Sequence, residues 1–157
     1  MADRLTHLDA DGKAQMVDVS GKSVTTRSAT ATGLVRISPE VLGLLRGEGV
    51  PKGDALAVAR LAAIMGAKQT AALIPLCHPL PLHAVDVTLD LVEEGVRIGV
   101  TTRTAERTGV EMEALTAVAV AGLALIDMVK GVDRTASLED VKVTAKSGGR
   151  SGDWVRP

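Results

Sequence analysis

One apolar stretch, Thr108 to Gly131, constrains the fold of this 157-residue chain more than any other segment. It contains no charged residue between Ala114 and Ile126. Thr108, with Glu111 three positions later, fits a capping box at the start of a helix, and Gly131 fits a C-terminal stop. The sequence therefore predicts one long apolar helix, in which Glu111 serves as a capping residue.

Two other acids in this helix, Glu113 and Asp127, are not required by its packing. Asp127 falls in the last turn, where the negative end of the helix dipole disfavours an anion, so it indicates a task other than stability. The two acids share a face, yet they are about 21 Å apart along the helix axis. Either the site is long, or opposite ends of this helix from two chains meet at an interface.

The residues between these acids are small enough to permit close approach: Thr116, Ala117, Val120 and Ala124. Lys130 lies one turn after Asp127, within side-chain reach, although a cation there also stabilises the end of a helix. The chain has no Phe or Tyr, and Trp154 is its sole aromatic residue. Because small aliphatic side chains bury less area each, we expect additional burial through oligomerisation.

The remaining composition narrows the class of protein. The length suits one compact domain, and a net charge of −1 provides no global basic field to recruit nucleic acid. A single cysteine fits a reducing compartment, and the polar N-terminus lacks the apolar core of a signal peptide. The apolar helix is interpreted as too short and too closely flanked by charge to span a membrane. These features predict a cytoplasmic protein with no membrane partner.

Residue patterns along the chain predict an α+β fold. Residues 1–22 are polar and are expected to form an extended arm, followed by a single domain over 23–157. A strand over 24–37 precedes two helices, which begin at Ser38-Pro39 and near Gly53-Asp54. Alternating residues predict a strand pair over 85–100 and a last strand over 141–146. The order β-α-β-β-α-β is that of ferredoxin-like folds, with an antiparallel sheet and helices on one face.

Several cations are candidates for binding an anion. Lys52 lies at a helix start, where free backbone N–H groups favour negative charge. Lys146 opens the run KSGGRSGD, whose backbone N–H groups are candidates for cradling a phosphate. Each lysine taken alone is interpreted as a solvated surface residue, since lysines are mostly exposed. Lys13 and Lys22 are expected to be ordinary surface lysines.

Cys77 and His78 are adjacent in a proline-rich segment. Neighbours in an extended segment point to opposite sides, which argues against a thiolate–imidazolium pair, and no ligand spacing supports a zinc site. Cys77 is interpreted as a small buried residue, and His78 as either a core histidine or a substrate contact. The residues by themselves thus predict an oligomeric α+β domain that can handle a phosphorylated ligand.

Three long segments carry a family resemblance: KQTAALIPLCHPL (68–80), TGVEMEALTAVAVAGLALIDMVKGVDR (108–134) and AKSGGRSGD (145–153). They closely resemble the MoaC family, the cyclic pyranopterin monophosphate synthases of molybdenum cofactor biosynthesis. MVDVSGK (16–22) matches as well, so the likeness runs from about Leu5 to Asp153. Arg107 and Arg150 depart from the family pattern, since lysine is expected at both positions.

The resemblance implies a lyase that converts the GTP-derived nucleotide 3′,8-cyclo-7,8-dihydro-GTP into cyclic pyranopterin monophosphate and releases pyrophosphate. It also implies a ferredoxin-like homohexamer, a trimer of dimers, with sites at subunit interfaces. No protein-bound metal or other cofactor is expected, while Mg²⁺ on the triphosphate leaves no mark in the sequence. The implied residues are catalytic Asp127, Lys52 and Lys130, and substrate-binding Leu76, Cys77, His78, Met112, Glu113, Lys146 and Arg27.

A non-catalytic ferredoxin-like module is the alternative class of function. Modules that bind RNA on the sheet face use stacking aromatic residues, and this chain has no Phe or Tyr. A nucleotide-sensing regulatory domain would not need Asp127. A purely structural oligomeric domain would leave the placement of the acids and lysines unexplained.

Overall fold

A computed structural model describes residues 6–47, 50 and 54–157 of the chain. Its strands are β1 (Thr25–Arg36), β2 (Ala84–Val92), β3 (Gly95–Glu106), β4 (Ser137–Ser147) and β5 (Trp154–Val155). Its helices are α1 (Pro39–Arg46), α2 (Ala55–Lys68), α3 (Thr70–Leu73) and α4 (Glu111–Val129). The predicted order of elements is confirmed, with the short α3 and β5 as additions.

The five strands form one antiparallel sheet in the order β2-β3-β1-β4-β5. β1 lies in its centre, where Ala31 pairs with Val100 of β3 on one side and with Val143 of β4 on the other. Alternate residues of β1, such as Ala29, Ala31 and Val35, are buried beneath the helices. This topology confirms the ferredoxin-like α+β fold.

Helix α4 crosses the helix-covered face of the sheet over β1, β3 and β4, and α2 lies beside it. The two helices approach closely because Gly66 of α2 faces Val120, and a Cβ on Gly66 would lie 2.8 Å from the Val120 Cβ. Ala117 is fully buried within the chain. The small residues of α4 therefore serve contacts inside one chain, and the expectation that they form an interface between chains loses this support.

The start of α4 differs from the predicted capping box. The N-cap is Val110, the helix begins at Glu111, and no side chain caps it. Thr102 of β3 anchors this end instead, because its Oγ1 donates to the Val110 carbonyl over 2.9 Å. Thr108 is thus not a cap, and Glu111 does not act as the partner of one. At the other end the helix stops at Val129, with Lys130 as its C-cap.

Length and composition alone would allow α4 to cross a membrane, so the interpretation that it is too short was wrong. One face of its 19 residues lies in the centre of the hydrophobic core, where Ala114, Val118, Ala121 and Leu125 are fully buried. The helix is therefore apolar because it packs against the sheet and α2.

An N-terminal arm, residues 6–24, precedes the sheet and contributes nothing to the hydrophobic core. It consists of two locally closed turns. In the first, the Asp9 carboxylate accepts from the backbone N–H groups of Asp11 and Lys13, and in the second the Asp18 carboxylate accepts from Ser20 N–H. The arm is mostly exposed.

Candidate active site

Strand β3 positions the two segments that form the candidate site. Thr104 Oγ1 donates to the Pro81 carbonyl over 2.6 Å and fixes the proline-rich segment between α3 and β2. Two residues earlier on the same strand face, Thr102 anchors the start of α4. Both threonines are buried. The segment that carries Cys77 and His78 is therefore held next to the helix end that carries Glu113.

A cavity of about 740 Å³ lies between these segments. It is lined by His7, Ala14, Ile74, Pro75, Leu76, Cys77, His78, Leu80, Thr108, Gly109, Glu111, Met112 and Glu113. We call it the apolar cavity because most of these side chains are uncharged. Five of the predicted substrate-binding residues meet here: Leu76, Cys77, His78, Met112 and Glu113.

Glu113 is the most buried acid of the apolar cavity, with 5% of its surface exposed. Burial raises the pKa of this carboxyl, and the negative charge of Glu111 raises it further, while the backbone N–H of Glu113 itself opposes the shift. A carboxyl with a raised pKa remains a proton donor over a wider pH range. Glu113 can therefore donate a hydrogen bond to a ligand as well as accept one.

Cys77 is half-buried at the wall of this cavity. Burial raises the pKa of its thiol, and nearby Glu113 adds to the effect. Because a raised pKa keeps the thiol protonated, Cys77 is not an activated nucleophile. It is less buried than the sequence predicted.

His78 lies where the apolar cavity meets the N-terminal arm. Its Nε2 is 2.6 Å from the carbonyl oxygen of Val17. A carbonyl can only accept, so Nε2 carries the hydrogen. His78 and Cys77 line the same cavity despite the expectation that they point to opposite sides. The Val17 carbonyl engages Nε2 of His78, and the raised pKa of the Cys77 thiol opposes a thiolate–imidazolium pair.

A second cavity, of about 510 Å³, is lined by three cationic side chains. We call it the cationic cavity; it is lined by Lys22, Ser23, Thr25, Arg27, Gly149, Arg150 and Ser151. Arg27 is fixed by a 3.0 Å bond from its Nε to the Glu106 carbonyl. Gly149 has a φ of +76°, and a Cβ there would lie 2.4 Å from Arg27 Nη1, so glycine allows the guanidinium to lie against the backbone.

Lys146 connects the two cavities. Its Nζ lies 3.8 Å from Glu111 Oε1 at the apolar cavity, and the same atom hydrogen-bonds Ser151 Oγ at the cationic cavity. The Lys146 side chain is only 22% exposed. The structure therefore brings Arg27 and Lys146 together with the five residues of the apolar cavity in one continuous region.

Two of the predicted catalytic residues, Asp127 and Lys130, lie elsewhere. Asp127 and Lys130 form an ion pair of 2.5 Å at the C-terminal end of α4, with 56% and 58% of their side chains exposed. Glu113 is at the opposite end of the same helix, about 21 Å away along its axis. Lys52 lies outside the described residues. Within one chain, the structure does not bring the Asp127–Lys130 pair to the two cavities.

Two residues of the site were missed by sequence reasoning. Glu111 was assigned to capping, but it lines the apolar cavity and faces Lys146. Lys22 was expected to be an ordinary surface lysine, yet it lines the cationic cavity. The motif MVDVSGK, which ends at Lys22, was the available signal. Among residues 6–47, 50 and 54–157, no group of three His, Cys, Asp or Glu side chains could hold a metal ion.

Comparison with known proteins identifies close relatives. Residues 16–149 match the MoaC family. The chain is similar to proteins named cyclic pyranopterin monophosphate synthase, with 62% identity to that of Streptomyces coelicolor over 98% of this chain and 91% of the relative. Identity to the Nocardioides sp. protein is 61%, over 98% of this chain and 96% of the relative. Identity to the Dinoroseobacter shibae protein is 58%, over 94% of this chain and 95% of the relative.

Proposed function

The chain belongs to the MoaC family, and we propose that it is a cyclic pyranopterin monophosphate synthase of molybdenum cofactor biosynthesis. Its substrate is then the triphosphate 3′,8-cyclo-7,8-dihydro-GTP, and its products are cyclic pyranopterin monophosphate and pyrophosphate. This reaction classes the enzyme as a lyase acting on a phosphorus–oxygen bond. The reaction opens the imidazole ring of the purine, rebuilds a pterin and closes a cyclic phosphate.

One observation carries the proposal: an apolar cavity that contains a buried acid adjoins a cationic cavity, and Lys146 lies between them. A nucleoside triphosphate has the same two parts, a flat base and a chain of negative charges. The base fits the apolar cavity, where Glu113 and the Cys77–His78 segment meet its polar edge. The triphosphate fits the cationic cavity, beside Arg27 and Arg150.

Cations are needed where charge develops during the reaction. When the α-phosphorus closes onto the sugar oxygen, pyrophosphate leaves and negative charge accumulates on it. Guanidinium groups bind phosphate oxygens in a bidentate manner, and an ammonium group acts as a point charge. Arg27 and Arg150 suit the departing pyrophosphate, and Lys146 suits the phosphate that remains.

Proton transfers at several ring atoms need an acid–base pair, and Asp127 with Lys130 is the proposed one. Because this pair lies at the far end of α4 in its own chain, we assign it to the site of a second copy. Lys52, which the resemblance also makes catalytic, is part of this proposal. The complete site then combines the N-terminal end of one α4 with the C-terminal end of another.

A homo-oligomer, in the form of a hexamer built as a trimer of dimers, is part of the same proposal. Leu61 and Met65 on α2 and Leu123 on α4 are 62%, 65% and 61% exposed, which leaves apolar surface on the helix layer for contact between copies. No protein-bound cofactor is proposed. Mg²⁺ would accompany the triphosphate, and the enzyme would work in the cytoplasm.

The decisive experiment incubates the purified protein with 3′,8-cyclo-7,8-dihydro-GTP and measures pyrophosphate and cyclic pyranopterin monophosphate together. Equal amounts of both are expected. Pyrophosphate without the pterin product would indicate simple hydrolysis and would overturn the proposed reaction. GTP serves as the control substrate, because it lacks the additional ring bond and should yield neither product.

A further inference from the structure

The N-terminal arm lines every part of the candidate site, although it contributes no residue to the hydrophobic core. His7 and Ala14 line the apolar cavity, and Lys22 and Ser23 line the cationic cavity. Between them, residues 16–20 form one wall of a groove of about 450 Å³, whose other wall includes His78 and Arg107. A segment with this placement must be held in position by something other than apolar packing.

Two side chains of the domain hold the arm by hydrogen bonds. His78 Nε2 donates to the Val17 carbonyl over 2.6 Å, and Arg107 Nε donates to the Lys22 carbonyl over 3.0 Å. Both acceptors are backbone atoms, so the bonds fix the path of the arm rather than particular side chains. The other hydrogen bonds described for residues 6–24 close turns within the arm itself.

We propose that Arg107 is a positioning residue, which holds the arm across the site and sets Lys22 at the cationic cavity. This inference rests on the proposed function. Arg107 itself does not line the cationic cavity, and its bonded partner is the carbonyl of the residue that does. Loss of this bond leaves His78 as the remaining anchor of the arm among the described residues. Segments held by few hydrogen bonds open at a low cost in free energy, so loss of one anchor should make the arm open more readily.

The test uses three variants of the full-length protein: Arg107→Ala, Arg107→Lys and, as a matched control, Arg97→Ala. Arg97 is an exposed arginine of β3, the strand that Arg107 directly follows. It lies opposite Leu34 in the sheet and away from the arm. Hydrogen exchange followed by mass spectrometry reports directly on the arm and does not require activity. Arg107→Ala should speed exchange in peptides from residues 6–24 by roughly tenfold, as expected for one lost hydrogen bond.

The kinetic readout separates positioning from folding. Arg107→Ala should raise KM for the triphosphate substrate by roughly tenfold and leave kcat within about twofold, because binding rather than chemistry is weakened. Arg107→Lys should recover part of the loss, since an ammonium group can donate to the same carbonyl. Unchanged exchange in the arm, or the same change in Arg97→Ala, would overturn the proposal. A wild-type protein that forms no product would instead refute the proposed function, and the exchange measurement would still decide the role of Arg107.

Discussion

The Lys130 ammonium lies 2.5 Å from the Asp127 carboxylate, one helical turn earlier, and both side chains are more than half exposed. An ion pair this accessible to water contributes about 0–1 kcal/mol to stability. Asp127 also lies at the end of the helix where the dipole disfavours an anion. This ion pair by itself therefore adds little stability, which supports the proposal that Asp127 and Lys130 act in the site of a second copy.

Replacing Asp127 with Asn should abolish turnover and leave folding and oligomeric state unchanged. The neutral amide cannot exchange a proton with the substrate. Because it carries no negative charge, it should also stabilise the C-terminal end of α4 by a few tenths of a kcal/mol. Product formation, thermal unfolding and light scattering measure the three effects. Asp90→Asn, which changes an exposed acid on β2, is the control and should retain activity. An Asp127→Asn enzyme with wild-type activity would contradict the catalytic assignment.

Lysines assigned to the site should differ from lysines outside it. Lys52→Ala, Lys130→Ala and Lys146→Ala should each lower product formation by about 10²-fold or more, the scale of a lost acid–base group or of a lost donor to developing charge. Lys142→Ala is the matched control, because Lys142 also pairs with a neighbouring acid, Asp140, over 2.7 Å. Lys13→Ala should likewise be silent, whereas Lys22→Ala should raise KM. Equal losses in the site and control variants would contradict the assignment.

Glu113 should make stability depend on pH in a defined direction. A carboxyl whose pKa is raised by burial binds more protons in the folded state, so its contribution is fully present below pH 4.5, its ordinary value, and is lost as pH rises through the raised pKa. Glu113→Gln removes this loss. Urea unfolding between about pH 4 and 8 should show the variant gaining stability relative to wild type as pH rises.

Glu139→Gln provides a control of opposite sign. Hydrogen bonds from Ser137, and then from Arg36, lower the pKa of Glu139, so its contribution is present at neutral pH and is lost as pH falls through the lowered pKa. At neutral pH the free energy of unfolding of wild type should therefore exceed that of Glu139→Gln, and this difference should disappear in acid. A difference between wild type and Glu113→Gln that does not change with pH would show that burial does not raise the pKa of Glu113.

Gly149→Ala should weaken substrate binding by displacing Arg27. A Cβ at residue 149 would lie 2.4 Å from Arg27 Nη1, in addition to the strain of a φ of +76°. Gly152→Ala is the matched control, because Gly152 has a φ of +66° and nothing within 4 Å of an added Cβ. Both variants should lose a similar free energy of unfolding, of about 1 kcal/mol. Only Gly149→Ala should raise KM, and an equal rise in Gly152→Ala would contradict the role of Arg27.

Local patterns were sufficient to predict the elements of this fold apart from the short α3 and β5. Ser38 before Pro39 marks the start of α1, and its side chain does accept the cap bond from Val41 N–H over 3.3 Å. Alternation in β2 and β3, and the uncharged run in α4, each reflect one buried face. Asp54, where the second helix was predicted to begin, caps α2 in the same way.

Contacts between distant parts of the chain could not be predicted in the same way. Thr102 donates to the Val110 carbonyl and so holds the start of α4, where the capping box suggested by Thr108 is absent. The position of Lys22 depends on Arg107, 85 residues away. Val120 of α4 packs against Gly66, in a helix whose side-by-side packing no local pattern specifies. The segments of the family resemblance include Lys22 and Val110 but neither Thr102 nor Gly66, and the geometry that joins these residues required the structure.

The central claim is that the site combines the N-terminal end of one α4 with the C-terminal end of another. The most direct measurement mixes inactive Asp127→Asn protein with inactive His78→Ala protein under conditions that allow subunit exchange, and follows cyclic pyranopterin monophosphate formation. Sites that draw these residues from two chains should regain both wild-type groups, and random exchange in a twofold dimer should restore about a quarter of them. No recovery, after mass spectrometry has verified exchange, would contradict the claim.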